Sequence, residues 1–292
     1  MKSMQTAVGI VYAVLPIVLV PFYARIIYIF LSKRKYRDLD CYRIMAQIGI
    51  IQCSMAPCMF LAGLTHLLDY DPYRLASNGM KIMSSAVRME TLLSFVLSLD
   101  RLRIICELRY TRHIHNFLIV LTWVFGVTYM VVLMTPLADY NVIPGVFLSQ
   151  YDDSKPYSIL IKMIGSIIIW TSSSLTFIVY LIIIGYLVHL HLKAKTNQAF
   201  NREKAILIYA FVRFAIDNFL SICYNIVGNQ KDPLVAFLVY LGYILNNLFL
   251  STFLYLTLYK SIRKEFVPCR KNIIHEVKTS SRNKKTDRTD RI

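Results

Sequence analysis

The chain has 292 residues, 56% of them hydrophobic, and its 33 Lys plus Arg against 17 Asp plus Glu give a net charge of +16. This apolar content excludes a disordered chain. A soluble nucleic-acid-binding domain is also excluded, because the charges are separated by uncharged runs of about 20 residues, the length that crosses a bilayer as a helix. We therefore expect an integral membrane protein that contacts the lipid bilayer and no nucleic acid.

Seven such runs follow one another along the chain. Each is expected to be helical, because backbone groups in lipid need hydrogen-bond partners within their own segment. The predicted spans are Val8–Leu31, Arg43–Leu67, Met80–Cys106, Phe117–Pro136, Tyr157–Val188, Ala205–Val227 and Pro233–Leu258. The predicted fold class is an all-α membrane protein, a bundle of seven transmembrane helices.

Basic residues alternate between the two sides of this bundle. With Arg43, Arg101 and Arg103 at the adjoining span ends included, the six connections and the tail contain, in chain order, five, one, four, one, four, one and eleven Lys and Arg residues. Because cytoplasmic loops carry the excess of Lys and Arg, the N-terminus is predicted to lie outside and the C-terminus in the cytoplasm.

Residues 1–266 are predicted to form one transmembrane domain, which ends in a short amphipathic helix on the inner membrane surface near residues 259–266. The remaining segment, 267–292, is rich in Lys, Arg, Asn, Thr and Asp and is predicted to be a disordered basic cytoplasmic tail. Cys269 in this tail is a candidate for lipidation, although an unmodified cysteine would fit equally well.

Four charged residues lie deep within the predicted spans: Arg88 and Glu90 in the third, Arg213 and Asp217 in the sixth. An unpaired charge there costs at least about 2.5–3.5 kcal/mol, so these side chains should face the bundle interior and pair. We predict pairs between Arg88 and Asp217 and between Glu90 and Arg213. Arg213 and Asp217 are four residues apart and could also pair with each other. The cluster could be a packing clamp or part of a ligand site.

Aromatic side chains at similar depth define a candidate pocket for a small, partly apolar ligand, although packing between helices would also explain them. Lys81 and Lys162 lie near outer helix ends and are expected to extend to the membrane surface. The aromatic candidates are Trp170, Phe177, Phe214, Phe219, Tyr224, Tyr240 and Tyr243. The full set of candidate ligand-binding residues is Arg88, Glu90, Trp170, Arg213, Asp217, Tyr240 and Tyr243.

Catalytic and metal-binding patterns are not found in the sequence. The pairs His113-x-His115 and His189-x-His191 lack the further ligands that a zinc site needs. There is also no Gly-rich phosphate loop and no Gly-x-Ser-x-Gly motif. We therefore predict no enzymatic activity, metal or cofactor.

The cytoplasmic end of the third span, Leu97-Ser-Leu-Asp-Arg-Leu102, resembles the Asp-Arg-Tyr motif of rhodopsin-like G-protein-coupled receptors, with Leu102 in place of Tyr. A carboxylate there can hold the adjacent guanidinium until it is released towards a G protein, although the same dipeptide could simply anchor a helix end. The resemblance implies a switch at Asp100 and Arg101 and a heterotrimeric G protein as partner. The candidate contacts in the inner basic loop are Lys193, Lys195, Arg202 and Lys204.

Two further motifs resemble the nematode serpentine chemoreceptors of class T and its relatives. Cys41-Tyr-Arg-Ile-Met45 looks like their Cys-Tyr-Lys-Ile-Met motif, and Phe253–Arg263 is similar to their Tyr-Leu-Thr-Leu-Asn-Lys-Thr-Ile-Arg ending. The resemblance extends over residues 8–266. It implies a chemosensory receptor in the plasma membrane of sensory-neuron cilia, which detects a small extracellular molecule and activates a G protein.

Three departures from rhodopsin-like receptors accompany this resemblance. The second span has Gln52 and no acid, the seventh span has no Pro after Pro233, and the usual cysteines that tie the third span to the second outer loop are absent. The alternatives are a receptor for an internal amine or peptide, and a membrane transporter. Glu90 could serve an amine, whereas the short outer segments disfavour a peptide, and the absence of an internal repeat disfavours a transporter.

Overall fold

The computed structural model describes residues 2–108, 112–194, 197–227 and 232–266. Within these ranges, the side chains of residues 112, 190–194, 197–207, 210 and 225–227 are not described.

The described chain is mainly helical, and six of its helical stretches are long and apolar enough to cross a bilayer. The remaining span, the sixth in chain order, is α7, which is 31 residues long and more highly charged. The helices are α1 (Lys2–Ser32), α2 (Arg34–Arg37), α3 (Asp40–Leu68), α4 (Leu75–Ile105), α5 (Arg112–Met134), α6 (Ser158–Ala194), α7 (Asn197–Val227), α8 (Pro233–Ile244), α9 (Ser251–Leu258) and α10 (Lys260–Phe266). A 3-10 turn at Pro72–Arg74 precedes α4.

The third span, α4, packs against α3, α5 and α6 and is therefore the centre of the bundle. The first two spans cross closely where Gly9 faces Gly63, and a Cβ atom on Gly63 would lie 2.6 Å from the backbone nitrogen of Ala13. Small residues of this kind let membrane helices approach until their backbones touch. On the outer faces of the bundle helices, large apolar side chains point away from the bundle, as expected for contact with lipid. Examples are Ile17, Val18, Phe117, Val120, Val124, Ile167 and Leu181.

The seventh span is α8 and α9 joined by a π-helical segment, Leu245–Leu250. A π segment adds a residue to a helical turn and rotates the side chains that follow it. Here it lies at Asn246 and Asn247, both of which are buried. The interruption that a proline produces in many membrane helices is produced here by this segment.

The connection between the fourth and fifth spans forms an antiparallel hairpin of two short strands, β1 (Tyr140–Asn141) and β2 (Gln150–Tyr151). Tyr140 pairs with Tyr151, and Asn141 pairs with Gln150. With the N-terminus outside, this hairpin covers the outer end of the bundle.

The sequence located all seven spans, although the helices continue past the apolar runs: α1 begins at Lys2 rather than Val8, and α7 at Asn197 rather than Ala205. The short helix predicted near residues 259–266 corresponds to α10, in which Ile262 is fully buried. Its position on the membrane surface stays a prediction.

Candidate functional site

A cavity opens in the outer half of the bundle, between α4, α6, α7 and α8 and beneath the hairpin. It contains about 790 Å³ of empty space, its open mouth included. Its apolar lining consists of Met80, Met83, Val87, Leu148 and Ile169. Its polar and aromatic lining consists of Ser84, Arg88, Tyr140, Ser149, Tyr151, Lys162, Ser166, Trp170, Ser221, Tyr224, Tyr240 and Tyr243.

Arg88 is the buried cation of this cavity, with 8% of its surface exposed. Its Nη1 donates to the backbone oxygen and the hydroxyl of Ser84 at 2.5 and 2.9 Å, and its Nη2 donates to the hydroxyl of Tyr151 at 3.1 Å. The guanidinium carbon lies 4.7 Å from the ring centre of Tyr129. Nε has no hydrogen-bond partner in the described residues. All of the partners of this cation are therefore neutral groups.

A glycine on the neighbouring helix makes room for this guanidinium. A Cβ atom on Gly165 of α6 would lie 2.2 Å from Nε of Arg88 and 2.6 Å from its Nη2. Any side chain at position 165 would therefore displace the guanidinium or push the helices apart.

Tyrosine hydroxyls connect the hairpin to the helices around the cavity. Tyr151 lies 3.0 Å from the hydroxyls of both Ser84 and Tyr129. Tyr140 lies 3.1 Å from the hydroxyl of Tyr224, which also donates to the backbone oxygen of Ser149 at 3.3 Å. These bonds hold the hairpin over the cavity as a lid.

Ion pairs replace the missing disulfide between the third span and this hairpin. Lys81 of α4 lies 2.8 Å from Asp139, just before β1, and Arg74 lies 2.5 Å from the same carboxylate. Burial favours the protonated acid, but the hydrogen bonds from Lys81 and Arg74 outweigh it and hold the pKa of Asp139 below its ordinary value.

Lys81 is buried, which contradicts the expectation that it extends to the membrane surface. Lys162 is exposed, as expected.

A second polar cluster lies deeper, around Arg213 of α7. Its Nη2 donates to Glu90 of α4, and its Nε lies 3.3 Å from Asp217. Nη1 donates to the backbone oxygen of Asn246 at 2.8 Å and to the hydroxyl of Ser251 at 2.6 Å. This guanidinium is therefore paired with two carboxylates and joins the third, sixth and seventh spans.

The cluster extends across the bundle to the first and second spans. Gln52 donates to Glu90 at 2.6 Å and accepts a hydrogen bond from the hydroxyl of Tyr23. On the other side, the amide of Asn246 donates to Asp217 at 2.5 Å, and the side-chain oxygen of Asn247 accepts from Arg213 at 3.1 Å. The π-helical segment presents both asparagines to this cluster.

The predicted pair between Glu90 and Arg213 is confirmed, and so is the contact between Arg213 and Asp217. The predicted pair between Arg88 and Asp217 is wrong. Arg88 instead contacts Ser84 and the tyrosines, because its side chain is turned towards the hairpin and α6.

The candidate ligand-binding residues therefore separate into two groups. Arg88, Trp170, Tyr240 and Tyr243 line the outer cavity. Glu90, Arg213 and Asp217 do not, and they border smaller cavities beneath it.

Three of the aromatic candidates also lie outside the outer cavity. Phe177 and Phe214 stack on each other with ring centres 5.4 Å apart. Phe219 has 64% of its surface exposed and faces away from the bundle.

At the inner end of α4, Arg101 and Asp100 are both buried, with Nη2 of the arginine 3.6 Å from Oδ2 of the acid. The two groups lie within ion-pair distance, but these two atoms are too far apart for a hydrogen bond. Lys195 of the inner basic loop lies outside the described residues. Cys269 of the tail also lies outside them. Lys193, Arg202 and Lys204 lie in helices, but their side chains are not described.

Several residues of the outer cavity and of the polar cluster around Arg213 were not among the site candidates predicted from the sequence. Gln52 and Asn246 are polar residues within apolar spans, and that position alone marks them as partners of buried charges. Tyr151 lies in β2 of the hairpin between two spans, where neither helical periodicity nor depth in the membrane predicts its contact with Arg88.

No protein-family model matches the chain, and no curated protein does. Its fold matches 179 chains of solved structures. One of these is the crystal structure of squid rhodopsin, with a TM-score of 0.69 over 94% of this chain and 87% of that chain, at 10% identity. At this identity the similarity establishes the fold alone. The protein is a multi-pass membrane protein with the seven-helix fold of rhodopsin-like receptors.

Proposed function

We propose that this protein is a chemosensory G-protein-coupled receptor. A small extracellular molecule binds in the outer cavity, and the inner face activates a heterotrimeric G protein. The proposal is supported by the receptor fold, by the cavity beneath the hairpin and by the buried pair of Asp100 and Arg101. The chemosensory role and the sensory cilia come from the resemblance of the second and seventh spans to the nematode serpentine receptors of class T.

One observation carries the proposal: a single wall separates the outer cavity from a smaller cavity in the polar cluster. Val87, Ile169, Ser221 and Tyr243 line both cavities. The smaller cavity is bordered on its other side by Glu90, Asp217 and the two asparagines of the π-helical segment. A ligand that presses on this wall therefore acts on residues that join the third, sixth and seventh spans.

The mechanism follows as a shift between two arrangements. A ligand favours the active arrangement only by binding it more tightly than the resting one. Movement of α7 relative to α4 would alter the contacts of Arg213 with Glu90. The same movement at the inner end would weaken the hold of Asp100 on Arg101 and present the basic loop Lys193–Lys204 to the G protein.

The contacts of Glu90 argue against the alternative of an amine receptor. Glu90 already accepts hydrogen bonds from Arg213 and Gln52 and does not line the outer cavity. A ligand amine would therefore have to displace one of these two donors.

The experiment is a G-protein dissociation assay in cells that express the full chain and are exposed to a library of small molecules. We expect at least one compound to activate a G protein, and Arg101→Gln to abolish that response while surface expression persists. A compound whose response survives Arg101→Gln would contradict the proposed switch. Localisation of a tagged copy at synapses instead of sensory cilia would contradict the chemosensory role alone.

A further inference from the structure

The outer cavity contains positive charge that the described protein does not neutralise. Arg88 remains protonated at any accessible pH, and its partners are a serine and two tyrosines. Lys162, the other cation of the cavity, makes no ion pair within the described residues. The nearby Lys81 is different, because Asp139 neutralises it.

The guanidinium of Arg88 also retains hydrogen-bonding capacity. Of its five N–H groups, three donate to Ser84 and Tyr151, and Nε has no partner in the described residues. Only 8% of the surface of Arg88 is exposed, so water compensates for little of this deficit in hydrogen bonds. A group that provides acceptor oxygens and a negative charge would complete the site.

We infer that the ligand of the outer cavity is a small organic acid, whose carboxylate binds Arg88 and Lys162. This inference rests on the proposed function and specifies its ligand class. Carboxylates form charge-assisted, often bidentate hydrogen bonds with a guanidinium. The remaining lining suits an apolar or aromatic body, because Val87, Ile169 and Trp170 contribute the walls. Tyr243 also lines this cavity, and its hydroxyl makes no hydrogen bond within the described residues.

The test measures binding without a G protein. The full chain in lipid nanodiscs is heated with phenylacetate, 3-phenylpropionate or indole-3-acetate at saturating concentration. Each acid is compared with the alcohol and the amine of the same carbon skeleton. We expect at least one acid to raise the unfolding temperature more than both analogues do. If no acid does so, or if an amine stabilises the protein more, the inference is overturned.

Variants then assign the effect to the cavity. Arg88→Gln should weaken binding of the stabilising acid roughly ten- to hundredfold, the loss expected for a charge-assisted hydrogen bond. Lys162→Gln should weaken it less, because this side chain is exposed. Lys155→Gln is the matched control: it removes an outer-loop cation that does not line the cavity and should leave binding unchanged. Equal losses in Lys155→Gln and Arg88→Gln would show general attraction to a positive surface and overturn the inference.

A purely structural role of Arg88 gives a different result. In that case Arg88→Gln lowers the unfolding temperature without ligand, while the stabilisation by the acid stays as in the wild type, and the inference fails. The outcome for signalling is separate. An acid that binds but activates no G protein contradicts the proposed function alone, whereas activation by neutral compounds without binding of acids contradicts this inference alone.

Discussion

Two buried arginines in this bundle have opposite environments. Arg213 contacts Glu90 and Asp217 and donates three further hydrogen bonds to the seventh span. Arg88 is equally buried, but it contacts only hydroxyls, one backbone oxygen and an aromatic ring. Residue type and burial are therefore the same, and only the partners differ.

We propose that the difference separates a structural charge, on Arg213, from a charge that binds a ligand, on Arg88. A buried cation with carboxylate partners holds helices together, and removing one member leaves the other uncompensated. A buried cation with neutral partners contributes less to the fold, because its charge is only partly balanced, and the unbalanced part can be used in binding. The predictions below test this distinction, beginning with the largest effect.

Substitution of Arg213 should be the most damaging change in the bundle. Arg213→Met leaves the buried Glu90 and the half-buried Asp217 without their cation, and we expect a loss of about 3–5 kcal/mol of stability, mainly through Glu90. Surface expression and the unfolding temperature in nanodiscs measure it. Arg88→Met is the matched control and should lower the stability less. A larger loss in Arg88→Met would reverse the assignment of the two arginines.

The link between Asp139 and Lys81 should give a smaller effect. Asp139→Asn leaves the buried Lys81 without its carboxylate, and we expect about 1–3 kcal/mol of destabilisation together with faster hydrogen exchange in the hairpin. Arg74→Gln is the control, because 58% of the Arg74 side chain is exposed and its pair with Asp139 should contribute about 0–1 kcal/mol. Equal effects of the two substitutions would show that burial of Lys81 does not matter.

The sequence predicts one of these environments and not the other. Glu90 and Arg213 lie at matching depths in two spans that face each other, so hydropathy and helix geometry alone bring them together. The partners of Arg88 come from a hairpin and from the space above Gly165. Neither the hydroxyl of Tyr151 in the hairpin nor a glycine on the neighbouring helix α6 produces a periodic pattern in the sequence. Charge complementarity therefore assigned Arg88 to Asp217, although neutral groups were sufficient.

The spans themselves are predictable for a related reason. Each needs about 20 apolar residues, whatever its neighbours are, and the Lys and Arg residues between them fix the orientation. The π-helical segment is not predictable, because Asn246 and Asn247 are compatible with an ordinary helix until the contacts with Arg213 and Asp217 are known.

A substitution that moves the guanidinium of Arg88 but keeps its charge tests whether the position of this cation matters for binding. Gly165→Ala places a methyl group against Nε and Nη2, so the guanidinium must move. We expect several-fold weaker binding of the stabilising acid, with little loss of expression, because alanine favours the helix by up to about 1 kcal/mol. Gly185→Ala on the same helix is the control, since nothing lies within 4 Å of its added methyl group. Similar binding by both variants would show that the position of Arg88 is not critical.

The smallest predicted effect is the pH dependence of the hairpin, which depends on Asp139 and not on the two arginines. The folded pKa of Asp139 lies below its ordinary value, so its pairs stabilise the protein above the unfolded pKa of about 4 and are lost as the pH falls through the folded value. We expect the protection factors of the hairpin amides, which are exchange rates corrected for their intrinsic pH dependence, to be unchanged between about pH 5 and 8 and to fall below about pH 4. In Asp139→Asn this acid-dependent step should disappear. If it persists in that variant, a different acid controls the lid, and the ion pair with Lys81 is not what replaces the disulfide.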